Sequence, residues 1–265
     1  MKPPEQKVTK QAAVIFALAL AGCGVRQVPT APAAAPAVAP RTSGAQITSL
    51  KTRQVYTITH VPDTDAAFER LEQPEAAPAG TDNFTGTDRK AAKISLSKAK
   101  PQTFATLGPL LDSGLFIPDA TMLSRNPPIP KGAASNRVNE EQHNVTVTAL
   151  LYASAKESDN DFHCIIGTPM GQAVRFLNVE VSGLPASGAA LAPLKSVRDT
   201  FKAFFGANLP DPLLGYSIFN PPIPIQITGS IFFDIDHPAG TIGPPGMHPT
   251  TAWEVHPLSK LVFEP

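Results

Sequence analysis

The sequence has little cysteine, no net charge and none of the common hydrolase motifs. It contains 2 cysteines in 265 residues, and 22 lysines and arginines are balanced by 22 aspartates and glutamates. Proteins that bind nucleic acid through its phosphates need a basic surface, so this balance argues against nucleic acid as a partner. A Gly-x-Ser-x-Gly elbow, a His-Glu-x-x-His helix and a phosphate-binding glycine loop are also missing. The best-marked classes of hydrolase are therefore excluded.

The apolar run at the N-terminus is too short to cross a bilayer. Lys2, Lys7 and Lys10 precede it, and the uncharged stretch 12–21 is about half of the roughly 20 residues that a spanning helix needs. The run ends at Leu20-Ala21-Gly22-Cys23, with a cysteine where an export signal would be cut. A plain secretory signal and a short membrane helix are the alternatives.

The segment that ends at Cys23 resembles the lipobox of bacterial lipoproteins. The resemblance implies that Cys23 is acylated and becomes the mature N-terminus, which anchors the protein to a membrane. Because Gly24 follows rather than aspartate, it also implies the periplasmic side of the outer membrane. Acylation of Cys23 leaves Cys164 alone, so no intrachain disulfide is expected. Cys164 lies in the apolar run 162–166 and is expected to be a buried small side chain rather than a nucleophile.

Proline is abundant, with 29 residues, and its distribution helps to divide the chain. After a lipoprotein signal peptide at 1–22, the Pro/Ala-rich segment 23–45 predicts an extended tether. Residues 46–134 contain many breakers, so we expect a partly disordered region with few strands and loops, with short strands near 53–61 and 90–98. Regular periodicity predicts one folded domain over 135–265.

The segment 135–265 predicts a mainly β fold with one helix. Hydrophobic residues alternate with polar ones in five stretches, of which the fifth could continue past Pro257. An apolar stripe at helical spacing covers 191–205, between the third and fourth strands, and Gly206 suits the position after a helix. A Pro-rich connection, 210–224, precedes the fourth strand. This order predicts a five-stranded OB-like Greek-key barrel, and any other five-stranded sheet with one helix is the alternative. The five predicted strands are 144–151, 161–167, 174–181, 225–235 and 252–256.

Ionisable residues concentrate at two loops of this predicted barrel. One loop joins the first and second strands, and the other joins the fourth and fifth. In OB folds both loops flank the face that binds ligands, so residues near them are expected to converge on one rim. The candidate rim residues are Asp161, His163, Asp234, Asp236, His237, Trp253, Glu254 and His256.

A divalent metal is one interpretation of this rim. Histidine with aspartate or glutamate is a zinc ligand set, and the spacings Asp159-x-Asp161 and Asp234-x-Asp236 are similar to oxygen ligation of calcium. The same spacing is common in Asx turns, where the carboxylate accepts a bond from the backbone two residues on. His163 alternates with apolar neighbours, as His256 does, so each could equally be a hydrogen-bonded strand residue.

A metal site would permit hydrolysis. Micrococcal-type nucleases are built on an OB barrel and use carboxylates on calcium together with arginines on phosphate. This chain offers carboxylates, but Arg175 is the only arginine in the five predicted strands, and Arg198 lies on the helix. Phosphate charge would then be poorly compensated, which argues against a nuclease of this kind.

Binding without catalysis is the other interpretation. Trp253, Phe232, Tyr152 and Phe176 could form an exposed stacking surface for a sugar, a peptide or another polymer. The Gly/Pro-rich loop 238–250 would then be an adjustable edge of the site. The alternative is that these aromatic side chains pack in the core.

Four segments of the C-terminal half resemble a group of exported bacterial proteins. They are 144–147, 159–163, 229–234 and 253–257. The group carries D-x-D-[YF]-H, T-G-x-x-F-F-D-x-x-H and W-E-[IV]-H-P in this order. The resemblance supplies no activity, but it implies a compact domain in which five of the rim residues belong together. These are His163, Asp234, His237, Glu254 and His256.

Together these observations predict a lipid-anchored, non-catalytic binding module of the cell envelope. An envelope polymer or a protein is the expected ligand, and the oligomeric state is left open. The alternative is a metal-dependent, nuclease-like hydrolase that holds zinc or calcium at the histidine and carboxylate rim.

Overall fold

The computed structural model describes residues 41–62, 81–171 and 173–265. The predicted signal peptide 1–22, the predicted lipidation site Cys23 and most of the tether therefore lie outside the described residues. The described part is mainly β, with eight strands. None of its helices is long and apolar enough to cross a membrane.

The eight strands form one mixed sheet, in the order β1-β2-β7-β8-β6-β5-β4-β3. Their bounds are β1 Arg41–Thr48, β2 Val55–Val61, β3 Pro101–Phe104, β4 Asn144–Lys156, β5 Phe162–Gly167, β6 Phe176–Val181, β7 Tyr216–Phe233 and β8 Trp253–Phe263. The α-helices are α1 Lys90–Lys93, α2 Leu107–Leu111, α3 Asp119–Leu123 and α4 Leu191–Phe205, and short 3-10 turns cover Asn139–Glu141 and Gly206–Asn208.

Strands from the N-terminal part of the chain belong to this same sheet. β1 begins at Arg41, inside the predicted tether, and pairs with β2, which pairs antiparallel with the start of β7. β3 runs parallel to β4 at the other end of the strand order. The sheet therefore extends across position 135, where the sequence predicts the start of the folded domain.

An additional pairing joins β4 to β7, so that five strands form a closed cycle of pairings. In this cycle β4 pairs with β5, β5 with β6, β6 with β8, β8 with β7, and β7 with β4. The β6–β8 pair is parallel and the others are antiparallel. The pairings follow the side-chain alternation, since one face of each strand joins a single hydrophobic core.

The helix predicted over 191–205 is confirmed as α4, between β6 and β7. Its apolar stripe enters the core, where the Phe201 and Phe162 rings are 4.9 Å apart. Gly206 follows the helix with a φ of 52°, a conformation that favours glycine. The helix thus covers the core with the face that the sequence spacing indicates.

Two predicted elements are wrong. The segment 90–98 is not a strand: its start is the single helical turn α1, and the backbone N–H groups of Arg89 and Ala91 donate to carbonyls at Lys131 and Ala133. The Pro-rich stretch 210–224 is not only a connection, because β7 begins at Tyr216. β7 pairs with β2 up to Asn220, and its ladder with β4 is interrupted between Ile218 and Ile223. The adjacent Pro221 and Pro222 fall in this interruption, where a missing N–H costs little.

Two other predictions are confirmed. β8 continues past Pro257 to Phe263. Cys164 is buried in the core, and burial raises the pKa of its thiol to about 12. The thiol therefore stays protonated at neutral pH, as expected for a packing residue.

Candidate functional site

The candidate site lies on the face of β5, β6 and β8 that points away from the hydrophobic core. Cys164, Val179 and Val255 face the core, and their neighbours along the strands face the other way. The registers place His163 opposite Glu180 on neighbouring strands. They also place Asn178 opposite Glu254, and directly opposed side chains on one face are in contact range. We call Asp161, His163, Glu180, Glu254 and His256 the histidine cluster.

Carboxylates and imidazoles alternate through this cluster. His256 Nδ1 is 2.8 Å from Glu180 Oε2, and Glu180 Oε1 is 3.0 Å from His163 Nε2. The row continues from His163 Nδ1 to Glu157 Oε1 at 3.3 Å, and from His256 Nε2 to Asp161 Oδ2 at 3.2 Å. A carboxylate therefore faces each ring nitrogen of both histidines, which favours the protonated form of a ring.

Asn178 and Glu254 form a side branch of the row. The Asn178 amide donates to Glu180 Oε1 and to Glu254 Oε2, both at 2.9 Å. Glu254 Oε1 lies 3.1 Å from His256 Nδ1, so this nitrogen faces two carboxylates. The branch therefore links Glu180 to the His256 ring through Asn178 and Glu254.

The pKa values in the cluster move in opposite directions. Burial alone would lower the pKa of His256, but the Glu180, Asp161 and Glu254 carboxylates outweigh it and raise this pKa well above its usual value. Burial alone would raise the pKa of Glu180, and His256 and His163 instead hold it well below its usual value. Burial and the charge of Glu180 raise the pKa of Glu254 to about 7, and burial also raises that of Asp161. Glu254 and Asp161 therefore keep their protons to a higher pH than free carboxyl groups do, and His256 stays protonated to a higher pH than a free imidazole.

His237 and Asp234 lie beside the cluster. The His237 and His163 rings are perpendicular, with centres 5.6 Å apart. His237 Nδ1 is 3.0 Å from Asp234 Oδ2, which is also 3.7 Å from the Lys93 ammonium. The structure therefore brings His163, His237 and His256 to one region, with Glu180 between the first and the last.

The other predicted rim residues have different surroundings. Asp236 bonds Lys131 at 2.8 Å, at a partly exposed position. The Asp159 and Asp234 carboxylates each accept the backbone N–H two residues on, at 2.9 Å. These are the Asx turns that the sequence offered as the alternative to calcium ligation.

The predicted exposed stacking surface is wrong. Trp253, Phe232 and Tyr152 are buried, and Phe176 is half-buried. Trp253 donates through Nε1 to the Ile117 carbonyl at 2.7 Å, and the Phe232 ring lies 4.5 Å from the guanidinium carbon of Arg89. These aromatic side chains therefore serve packing, which the sequence left open.

The cluster does not line an open rim, because the loop 237–251 covers this face. Gly243 in the loop packs against Ile165, which lies on the same face of β5 as His163. A cavity of about 10 Å³ remains, lined in part by Asn178, His237 and Glu254. This volume holds about one water molecule, so no organic ligand fits there without movement of the loop.

Sequence reasoning missed Glu180, Asn178 and Glu157. All three are buried, although glutamate is rarely buried without a partner. Glu180 and Asn178 occupy the polar side of a predicted strand, opposite to its apolar residues. The signal available was that the predicted second strand also carries a histidine on its polar side. Among the described residues, Asp161, Glu180 and His256 each offer one potential metal ligand atom, and these three atoms lie within 4.8 Å of one another.

A second buried charged group lies nearby and consists of Arg89, Arg137 and Glu141, which we call the arginine cluster. Glu141 accepts two bonds of 2.7 Å from Arg89 and two more from the backbone N–H groups of Val138 and Phe233. Within the described part of the chain, Arg137 donates to main-chain carbonyls at Ala92, Ser95, Ile231 and His256.

Comparison of the chain with protein-family models, with curated proteins and with solved structures finds no match. The functional argument therefore depends on the geometry of these two clusters and on the sequence.

Proposed function

We propose that this chain is a lipid-anchored protein on the periplasmic side of the outer membrane, and that its folded part is a non-catalytic binding module. The lipobox at Leu20–Cys23 supports the anchor, and Gly24 supports the outer membrane. The Pro/Ala-rich segment that follows would hold the folded part away from the lipid surface.

An OB-like five-stranded barrel is part of this proposal. The closed cycle of pairings through β4, β5, β6, β8 and β7 supports it, and so does the position of α4 between β6 and β7. Barrels of this type serve as binding modules for oligonucleotides and oligosaccharides. Because the net charge is zero, we favour an envelope polymer or a protein over nucleic acid.

The burial of the histidine cluster is the observation that carries the non-catalytic proposal. Its five residues are exposed by 2% or less. A catalytic acid or base must come within about 3 Å of its substrate or of a bridging water, and the adjoining cavity has room for about one water. The ligand is therefore expected to contact the outer surface of the domain. The metal-dependent hydrolase is the second candidate, because Asp161, Glu180 and His256 form a possible ligand set. It would require the loop 237–251 to move away from this face.

Sedimentation with isolated cell-wall polymer tests the two candidates together. The binding module predicts that the full chain enters the pellet with the polymer and that no soluble fragments are released. Release of fragments by the wild type, abolished in His256→Gln, would favour the hydrolase instead. A chain that stays in the supernatant would exclude this polymer and direct the search to a protein ligand.

Labelling with radioactive palmitate tests the anchor. The wild type is expected to incorporate palmitate and to fractionate with membranes, and Cys23→Ser is expected to do neither. Cys164→Ser is the matched control, because its cysteine is buried in the core and should leave labelling unchanged. Equal labelling of the wild type and Cys23→Ser would contradict the lipobox assignment.

A further inference from the structure

We infer that the histidine cluster is a binding site for one zinc ion, with Asp161, Glu180 and His256 as its protein ligands. The inference goes beyond the proposed binding function and does not depend on it, since a zinc site on this face would hold the fold together whatever the surface binds.

The contact between Asp161 and His256 has the spacing of two zinc ligands. Asp161 Oδ2 and His256 Nε2 are 3.2 Å apart, and both atoms are buried. They form an ion pair, but neither atom has a well-directed hydrogen bond. Zinc bonds of 2.0–2.1 Å in a tetrahedral site place neighbouring ligand atoms about 3.3 Å apart. An ion can therefore take the place of the proton between these two atoms with little movement.

The surroundings hold both ligands in the orientation that zinc requires. Asp161 accepts the Gly183 N–H through Oδ1, which leaves Oδ2 directed at His256. His256 Nδ1 faces Glu254, which does not contact the ion, so the ring carries its proton on Nδ1 and presents the Nε2 lone pair to the ion. A carboxylate that accepts the other N–H of a ligating histidine is a regular feature of zinc sites.

Glu180 supplies the third ligand. Its ligand atom lies within 4.8 Å of those of Asp161 and His256. Glu254 Oε1 is 3.1 Å from the same His256 nitrogen, so the ring remains oriented when Glu180 turns towards the ion. A zinc site with three protein ligands usually takes a water molecule as its fourth ligand.

The charge of the region also favours a cation. The named contacts link five buried carboxylates to one lysine and three histidines, so carboxylates outnumber the basic side chains that contact them. Zinc would add two positive charges among these carboxylates and displace one ring proton. Uncompensated buried charge is costly, so the ion would stabilise the folded state. The five carboxylates belong to Glu157, Asp161, Glu180, Asp234 and Glu254.

The ligand types select zinc over calcium. Calcium takes 6–8 oxygen ligands, whereas this set has three protein ligands and one of them is an imidazole nitrogen. Imidazole with carboxylates and low coordination number is a zinc environment. Of the two metals that the sequence suggested, the geometry therefore favours zinc.

Elemental analysis of the full chain, purified in detergent, tests the inference. The chelator-treated protein is incubated with zinc chloride and then separated from free ion. We expect one zinc per chain in the wild type and in Asp236→Asn, whose carboxylate bonds Lys131 instead of the cluster. Asp161→Asn and His256→Gln are each expected to lose the ion. No bound zinc in the wild type, or undiminished zinc in both ligand variants, would overturn the assignment.

Two further measurements keep the test independent of folding defects. Asp161→Asn retains the oxygen that accepts the Gly183 N–H, and its circular dichroism should match that of the wild type. Glu254→Gln should keep one zinc per chain but bind it about 10–100-fold more weakly, because it orients a ligand without contacting the ion. Unchanged zinc affinity in Glu254→Gln would contradict this positioning role. If the wild-type protein bound the polymer but no zinc, the metal inference would be wrong and the proposed function would still stand.

Discussion

The molecule buries two charged clusters that differ in how their charges are compensated. In the arginine cluster positive charge is in excess, but Glu141 accepts four bonds and Arg137 donates to four main-chain carbonyls. In the histidine cluster three carboxyl groups contact two imidazoles, and the Asp161–His256 contact has no directed hydrogen bond.

The difference indicates which buried charges the main chain can compensate and which need a bound ion or a proton. Each main-chain carbonyl can accept two bonds, so a surplus cation finds acceptors even within a sheet. Each N–H donates once, and in a strand the ladder already uses it, so surplus carboxylates need an external cation or a proton. In the arginine cluster every charged group therefore has directed hydrogen bonds, although the buried Arg89 Nε lacks an acceptor. In the histidine cluster the two atoms of the Asp161–His256 ion pair both lack a directed hydrogen bond.

The largest expected effect is that of Glu141→Gln. The change leaves Arg89 buried without its carboxylate, so we expect a loss of about 3–5 kcal/mol in the free energy of unfolding. Glu140→Gln is the matched control, because the Glu140–Arg125 pair is partly exposed and should contribute about 1 kcal/mol or less. Urea denaturation measures both. Equal losses of free energy of unfolding in the two variants would contradict the structural role of the arginine cluster.

Asp234→Asn should have an intermediate effect that depends on pH. Burial acts to raise the Asp234 pKa, but Lys93 and His237 outweigh it and hold the pKa below its usual value. The charged carboxylate therefore stabilises the fold fully above the usual value near 4, and this contribution is lost as pH falls below it. We expect a loss of about 1.5–3 kcal/mol at pH 7, shrinking by pH 3. Asp236→Asn serves as the control, and a loss that stays constant down to pH 3 would contradict the ion pair.

Asp161→Asn in zinc-free protein should have a small effect. The change removes the attraction between Asp161 and His256, but it also relieves repulsion from Glu180, and His256 keeps two carboxylates at Nδ1. The asparagine oxygen still accepts the Gly183 N–H. We expect a change of about 1 kcal/mol or less in the free energy of unfolding, measured by urea denaturation after chelation. With zinc present the wild type should gain stability, whereas Asp161→Asn should not. If zinc-free Asp161→Asn lost as much free energy of unfolding as Glu141→Gln, the Asp161–His256 contact would be as stabilising without an ion as the Arg89–Glu141 pair. That result would contradict the contrast between the two clusters.

The smallest expected effect concerns thiol labelling of Cys164. Its side chain lies on the core side of β5, opposite to His163, and its raised pKa keeps the thiol protonated. The native wild type and zinc-free Asp161→Asn should therefore react slowly and at equal rates, and the denatured protein should react fully. Faster labelling of native Asp161→Asn would contradict this expectation, because it would mean that the Asp161 carboxylate limits access of the reagent to the core side of β5.

Sequence patterns predicted the elements whose packing is local. The stripe from Leu191 to Phe205 defines a helix, and alternation from Ile225 defines the later part of β7, because each pattern records one buried face. The helical turn at Lys90 and the strand start at Tyr216 were not predictable in this way. The first depends on distant carbonyls at Lys131 and Ala133, and the second on pairing with β2.

The site was predicted only in part, for a similar reason. In the OB-like fold that the sequence predicts, His163, Glu254 and His256 lie near one rim. In the structure these residues come together, and Glu180 contacts both histidines. Their burial is set by the loop 237–251, whose path over the sheet leaves no periodic pattern. The burial of Glu180 on the polar face of β6 was therefore not predictable from the alternation of its strand.

X-ray diffraction at the zinc absorption edge, from crystals grown with zinc, tests the contrast between the clusters most directly. The histidine cluster should show one anomalous peak, about 2 Å from Asp161 Oδ2 and His256 Nε2, and the arginine cluster should show none. Density for zinc only at the protein surface, or no anomalous peak between Asp161 and His256, would contradict the claim that the histidine cluster is completed by a metal ion.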